Sequence, residues 1–209
     1  MKKEIYLIRH GQTDYNLRGV VQGSGIDADL NETGRTQAQR FWEAYGDVPF
    51  DKVYTSKLKR SIQSVRRFID KGLPWEAHEG LNEISWGHRE GQIITPEEHK
   101  YYYQVLDAWT QGQTDLRIDG GESPQDVADR QRPVLDLILS RPDERKVLVC
   151  MHGRAMRVLL CLMLNYEIKC MDQFEHHNLG LYKLIYTGTM FTVERHNDIA
   201  HLEMPKSFG

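Results

Sequence analysis

An α/β sandwich around a largely parallel sheet is the fold this sequence predicts, and three observations carry that reading. Two short runs, residues 5–8 and 147–151, are almost continuously apolar and rich in β-formers, the pattern of strands covered on both faces. Amphipathic stretches of helical length follow such runs rather than clustering apart from them. The resulting order, β-α-β-α, then helices, then β-α-β-β, is that of a three-layer α/β architecture. The expected arrangement is a mostly parallel central sheet with helices on both faces. A helical lid insertion at about residues 87–121 is the least sheet-like part of what reads as one domain over residues 1–209.

Residues 4–8 form the first strand and stop abruptly at a polar loop that contains Gly19, Gly23 and Gly25. Asn31 is placed to cap a helix running to about Tyr45, with the stripe Ala38, Phe41, Trp42 and Tyr45. Residues 52–55 are a short strand. The spacing of Leu58, Ile62, Val65 and Ile69 predicts one helix over 57–71, closed by Gly72. Thr95-Pro96 and Ser123-Pro124 each pair a capping side chain with proline at the first helical position. These start two helices, the first carrying Tyr101, Tyr102 and Tyr103 and ending near Thr110. Residues 147–151 are the strongest buried strand; a helix over 154–164 and strands at 181–186 and 190–195 complete the chain.

Composition narrows the function. The balance of 27 basic and 30 acidic residues gives a net charge of −3, opposite to the basic excess of a generic nucleic-acid surface. The start Met1-Lys2-Lys3-Glu4 and its short apolar run make a poor signal peptide. The most lipid-like stretch, 158–164, is far shorter than the ~20 residues a bilayer requires. Three cysteines, Cys150, Cys161 and Cys170, show no CxxC spacing, and the first two sit in apolar runs typical of reduced core cysteine. A cytoplasmic, reducing compartment is the expectation.

The chemistry gathers at strand ends. Residues 5–8 lead into Arg9-His10-Gly11, residues 147–151 into His152-Gly153-Arg154, and residues 52–55 into Ser56 with Arg60 in the next helical turn. Sites in open α/β sheets form beyond the carboxyl ends of adjacent strands. If these three are neighbours, two histidines and two arginines converge there, and each following glycine permits a close backbone approach. Guanidinium forks match phosphate oxygens and stay charged, while their field keeps a nearby imidazole neutral and nucleophilic. A dication beside two arginines is repelled, and no HExxH or cysteine-rich spacing is present, so neither metal nor cofactor is expected. The remaining histidines, His78, His88, His99, His176, His177, His196 and His201, read as structural or surface groups.

The string Leu7-Ile8-Arg9-His10-Gly11-Gln12-Thr13 resembles the N-terminal signature of the histidine phosphatase, or phosphoglycerate mutase-like, superfamily. Further segments match in family order: Gln22-Gly23 with residues 30–38, Ser56 to Arg60, Leu81-Asn82-Glu83, Gly121-Glu122-Ser123, and Met151-His152-Gly153. The resemblance spans about residues 4–186. It implies that His10 is a nucleophile that becomes phosphorylated. Arg9, Arg60 and His152 would hold the phosphoryl group, with Glu83 as general acid. Asn16 and Gln22 would add hydrogen bonds, and Gly23 and Gly153 backbone contacts, although ordinary turn bonding competes for Asn16 and Gln22. Two departures stand out: the loop over 24–29 is about one residue longer than the pattern, and Arg154 replaces an expected small residue. It is either a third cation near the pocket or an exposed first-turn side chain.

Within that resemblance, cofactor-dependent mutases carry a longer segment after the acid, whereas here about thirty residues separate Gly91 from Gly121. A shorter lid admits water to a phosphoenzyme and favours hydrolysis. The expected function is therefore a metal-independent phosphatase acting on a small phosphorylated metabolite, without nucleic-acid or membrane partners, and with a homodimer left open. A phosphoglycerate mutase or a fructose-2,6-bisphosphatase-like enzyme is the alternative. A non-catalytic phosphate-binding scaffold fits less well with His10 and Glu83 both intact. Within the lid, at most one or two of Tyr101, Tyr102 and Tyr103 can face a pocket from one helix.

Overall fold

Alternation along the central strands divides the molecule into layers. The computed structural model describes residues 2–93 and 95–203, apart from the side chains of residues 97–99. Its elements in chain order are β1 (Lys3–Arg9), α1 (Asp14–Arg18), α2 (Glu32–Tyr45), β2 (Lys52–Thr55), α3 (Lys59–Ser64), α4 (Arg66–Asp70) and β3 (Trp75–Ala77). Then come α5 (Pro96–Thr110), α6 (Pro124–Ser140), β4 (Lys146–Met151), α7 (Gly153–Leu164), β5 (Leu181–Tyr186) and β6 (Phe191–Asp198). The six strands form one sheet in the order β3-β2-β4-β1-β5-β6. The first four in that order run parallel; β5 is antiparallel to β1, and β6 to β5.

Successive side chains of a strand point to opposite faces. Ile5 and Leu7 of β1 and Val147, Val149 and Met151 of β4 join one apolar cluster with α6, α7 and Trp109 of α5. Tyr6, Ile8, Leu148 and Cys150 face the other way, against Phe41 of α2 and Phe68 of α4. Fully burying a side chain of this size stabilises by roughly 1.5–3 kcal/mol, and both faces of β1 and β4 gain it. The three-layer α/β sandwich expected from the sequence is what forms.

Three local expectations need correction. The helix expected over 57–71 is two pieces, because Val65 (φ −117°, ψ 14°) leaves helical geometry between α3 and α4. Ser64 immediately before it donates to the carbonyl of Arg60 at 2.6 Å and accepts the N–H of Gly11 at 2.8 Å. A serine bonding back to residue i−4 bends a helix, and the tether to Gly11 fixes the bend here. The last strand runs to Asp198 rather than 195, with a register shift against β5. The sequence reading also omitted α1 and β3, which are too short for periodicity to reveal.

Candidate active site

The carboxyl ends of β2, β4 and β1 lie side by side, with Thr55 opposite Cys150 and Met151 opposite Arg9. His10 follows directly and is almost fully buried, its N–H bonded to the carbonyl of Met151 at 2.9 Å. Its Nδ1 lies 2.7 Å from the carbonyl of Gly11. A carbonyl only accepts, so the proton is on Nδ1 and the lone pair on Nε2. Burial first, then Arg60 and Arg9, hold this imidazole well below the ordinary histidine range. It is neutral at neutral pH, as a nitrogen nucleophile must be.

The ring of His152 stands 5.0 Å from that of His10, centroid to centroid. Arg60, fully buried in the first turn of α3, donates from Nε to His152 Nδ1 at 3.1 Å, and His152 Nε2 lies 2.7 Å from Ser56 Oγ. Burial and then the charge of Arg60 hold His152 well below its usual range too. The other ends of Arg60 donate to the carbonyls of Gly23 (3.1 Å) and Ile26. The carbonyl of Gly23 is thus held by Arg60, which fixes the loop while leaving the backbone N–H expected to meet a ligand uninvolved in that bond. Burial draws Arg9 and Arg60 down to about 10, still charged at neutral pH, and the opposing charge of Glu83 supports both.

Glu83 is 7% exposed. Its Oε1 accepts the N–H of Ala155 at 2.9 Å and that of Ile84 at 2.9 Å, and Oε2 accepts the N–H of Arg154 at 3.2 Å. The carboxylate thus sits on the first turn of α7, where N–H groups have no helical partner. Because α7 begins at the residue after His152, the acid is tied to the end of β4 that carries His152, beside the end of β1 that carries His10.

The loop after β1 divides the remaining expectations. Asn16 completes a capping box with Thr13 at the start of α1, the ordinary turn role. Gln22 accepts from Thr13 Oγ1 at 2.9 Å, while its Nε2, like Arg9 Nε, is buried without a protein acceptor. Gly11 and Gly153 do mark close approaches, although to protein. A Cβ on Gly11 would lie 2.7 Å from the carbonyl oxygen of Gly34, and one on Gly153 would lie 2.9 Å from the His176 ring.

His176, read from sequence as structural or surface, belongs to this site. Its Nδ1 is 3.2 Å from Arg9 Nη1, and burial followed by Arg9, Arg157 and Arg154 pulls it down to about 3. Asn178 was also missed; it donates to the carbonyl of His10 at 2.9 Å. Both lie in an irregular loop before β5, where no motif flags them. Arg154 is not an exposed first-turn side chain but a paired cation whose field reaches His176. It is 8% exposed, pairs with Asp172 and lies 5.8 Å from the Trp109 ring, while Arg157 shares the same carboxylate at 2.5 Å.

In the segment expected as a lid, Tyr102 packs on Trp86 (5.3 Å between centroids), Tyr101 lies 4.1 Å from the Arg89 guanidinium, and Tyr103 is exposed. The side chain of His99 lies outside the described residues. Among the described residues no helix is long and apolar enough to cross a membrane, and no group of three or more His, Cys, Asp or Glu side chains is arranged to hold a metal ion.

Comparison with known proteins bears on this geometry. A family model described as "Histidine phosphatase superfamily (branch 1)" matches residues 5–199. A "Probable phosphoglycerate mutase GpmB" of Yersinia pestis (strain Pestoides F) is 29% identical, over 97% of this chain and 96% of its own. Among solved structures, a mycobacterial glucosyl-3-phosphoglycerate phosphatase is 25% identical with a TM-score of 0.83, covering 94% of this chain and 99% of that one. A putative alpha-ribazole-5'-P phosphatase of Escherichia coli superposes with a TM-score of 0.83 at 22% identity, over 94% of this chain and 96% of that one, a likeness of fold.

Proposed function

Because the chain belongs to branch 1 of the histidine phosphatase superfamily, we propose that it hydrolyses small phosphate monoesters through a covalent phosphohistidine on His10. The observation that carries this reading is the buried His10 ring, its proton committed to the Gly11 carbonyl at 2.7 Å and its Nε2 lone pair left to react. In the first step the phosphate enters with a proton that Glu83 takes up, Nε2 attacks phosphorus in line, the ester P–O bond breaks, and Glu83 passes that proton to the departing oxygen. Arg9 and Arg60 stabilise charge on the equatorial oxygens, and His152 would join them by turning its Nε2–H from Ser56 Oγ toward the phosphoryl group. Gln22 Nε2 and Arg9 Nε are two buried donors on this side of the site without protein acceptors, which suits them to the same oxygens. In the second step Glu83 takes a proton from water, the water oxygen attacks phosphorus, the N–P bond breaks, and His10 and phosphate are released.

Water is the preferred acceptor because only about thirty residues separate Gly91 from Gly121, room for α5 but not for a longer cover. On this reading residues 1–209 act as one domain, with residues 87–121 over the pocket. The partner is a small phosphorylated metabolite in a reducing, cytoplasmic setting. The curated relative named as a mutase keeps a second acceptor in view, namely a phosphorylated glycerate.

One experiment separates these. Enzyme given 4-nitrophenyl phosphate with chelator present and quenched in alkali should carry an acid-labile phosphoryl group, absent in His10→Ala; label that persists in the variant overturns the nucleophile. Supplied with 3-phosphoglycerate and 2,3-bisphosphoglycerate, it should release inorganic phosphate. Efficient formation of 2-phosphoglycerate instead makes it a mutase.

A further inference from the structure

Glu83 sits where the chain has little regular structure. Residues 79–81 make a single 3-10 turn, and the path is irregular to residue 86. Carbonyls in such a segment lack ladder partners and must find donors elsewhere. One guanidinium supplies them. Arg130 of α6 donates from Nη1 to the carbonyls of Gly80 (2.8 Å) and Asn82 (2.9 Å), and from Nη2 to that of Glu83 itself (3.0 Å). Its Nε and Nη2 also meet the two oxygens of Glu122, at 2.8 and 3.0 Å. Glu122 closes the other side of the acid: Oε2 accepts the N–H of Ser85 at 2.8 Å, and its own N–H donates to the Ser85 carbonyl at 3.0 Å. The peptide that bears Glu83 is gripped before and after.

The next residue on α6 holds the other half of the contact. Gln131, fully buried, donates from Nε2 to the carbonyl of Ala155 at 2.7 Å, and the N–H of Ala155 donates to Glu83 Oε1. Adjacent residues of one helix therefore fix both the backbone that carries the acid and the α7 turn that receives its carboxylate.

We propose that Arg130, locked by Glu122, is a positioning residue that sets where Glu83 delivers its proton; this rests on the reading of Glu83 as the general acid. Lysine cannot replace it, since its single ammonium does not offer the planar fork that reaches three carbonyls and a carboxylate together. Proton donation by a placed acid is worth about 10²–10⁴ in rate, and a misplacement of about 1 Å can cost about a hundredfold.

The test is a leaving-group series from 4-nitrophenyl to phenyl phosphate, read as kcat/KM, which reports the steps up to ester cleavage. A good leaving group departs with little help from an acid, and a poor one needs the proton. Arg130→Lys and Glu122→Gln should lose at least roughly fivefold more on phenyl phosphate than on 4-nitrophenyl phosphate. Equal losses across the series, or none, overturn the proposal, because a general loosening of the fold does not sort substrates by leaving group. Should Arg130→Lys fail to fold, Glu122→Gln keeps the side-chain shape and carries the same comparison. Glu83→Gln separates the two layers of argument. If it shows the selective loss and the clamp variants do not, the clamp falls and the acid stands; if it shows none, the acid assignment falls and the clamp with it.

Discussion

Arg60 donates its Nε–H to Nδ1 of His152 at 3.1 Å, and this hydrogen bond decides which of two buried histidines is free to react. With Nδ1 accepting, the His152 proton lies on Nε2, which faces Ser56 Oγ at 2.7 Å. Both nitrogens of His152 therefore have protein partners. His10 commits only Nδ1, to the Gly11 carbonyl, and keeps the reactive lone pair. Two imidazoles 5.0 Å apart, both in the field of Arg60 and Arg9, thus differ in which ring nitrogen their hydrogen bonds leave open.

Arg60→Lys should expose that dependence. Lysine cannot donate at once to His152 Nδ1 and to the carbonyls of Gly23 and Ile26, so the ring loses its tautomer and the loop its anchor. We expect kcat/KM for 4-nitrophenyl phosphate to fall about 10²–10³-fold, the range for removing one preorganised donor from an oxyanion site. Retention of near wild-type turnover would show that the bond is dispensable.

The residues legible in the sequence are those whose meaning is local. Arg9 ends a buried strand, His10 and His152 follow directly on buried strands, and Arg60 lies in the first turn of the helix after one, so short apolar runs ending in such residues give their position. His176 and Arg130 carry no such mark. Arg9 and His176 are 167 positions apart in sequence and meet only when the loop before β5 folds over Gly153. Arg130 reads as one polar position on an amphipathic helix until the carbonyls of residues 80–83 are seen against it. The break at Val65 was hidden for a related reason: the apolar spacing is helical throughout, and the tether from Ser64 to Gly11 that ends α3 is a tertiary contact.

Acidification should destabilise the protein through its buried imidazoles. His10 and His152 lie well below 6.5 in the folded state and His176 at about 3, whereas in the unfolded chain histidine titrates near 6.5. Between those values the unfolded state binds more protons, so stability rises with pH through the window and is fully present above it. Each histidine contributes up to about 1.4 kcal/mol per pH unit. Urea unfolding of His176→Asn should therefore show a shallower loss of stability from pH 6 to pH 4 than wild type. Equal slopes would mean that His176 is not held neutral.

Gly34 offers a test of how closely α2 must approach the His10 loop. A Cβ there would come within 2.1 Å of the Gln12 carbonyl oxygen, a backbone atom that cannot turn aside, and Gly11 faces Gly34 across the same gap. Gly34→Ala should destabilise by about 1–3 kcal/mol, as overpacking commonly does. The corresponding fall in Tm is about 2–4 °C per kcal/mol for a chain of this length. Phosphoryl transfer should slow as well, because the displaced segment begins one residue after the nucleophile. An unchanged Tm would place slack where the structure has contact.

Asp172 is shared by Arg154, which is 8% exposed, and by Arg157, so one carboxylate compensates two cations in a partly dry setting. The field of both reaches His176, and Arg157 opposes the charge on Arg9. Removing the carboxylate leaves those cations without a counter-charge, which costs more than the pair itself contributes. Asp172 is about a third exposed, so solvent screening moderates the effect, and Asp172→Asn should cost about 1–3 kcal/mol. The diagnostic is the double variant. If uncompensated charge is the cause, adding Arg154→Met to Asp172→Asn removes a cation that has lost its partner and recovers part of the loss. If the cause is packing against Trp109, the second substitution deepens the loss, and the two effects add. A double-mutant cycle in urea measures the difference, and a coupling near zero would reject the electrostatic account.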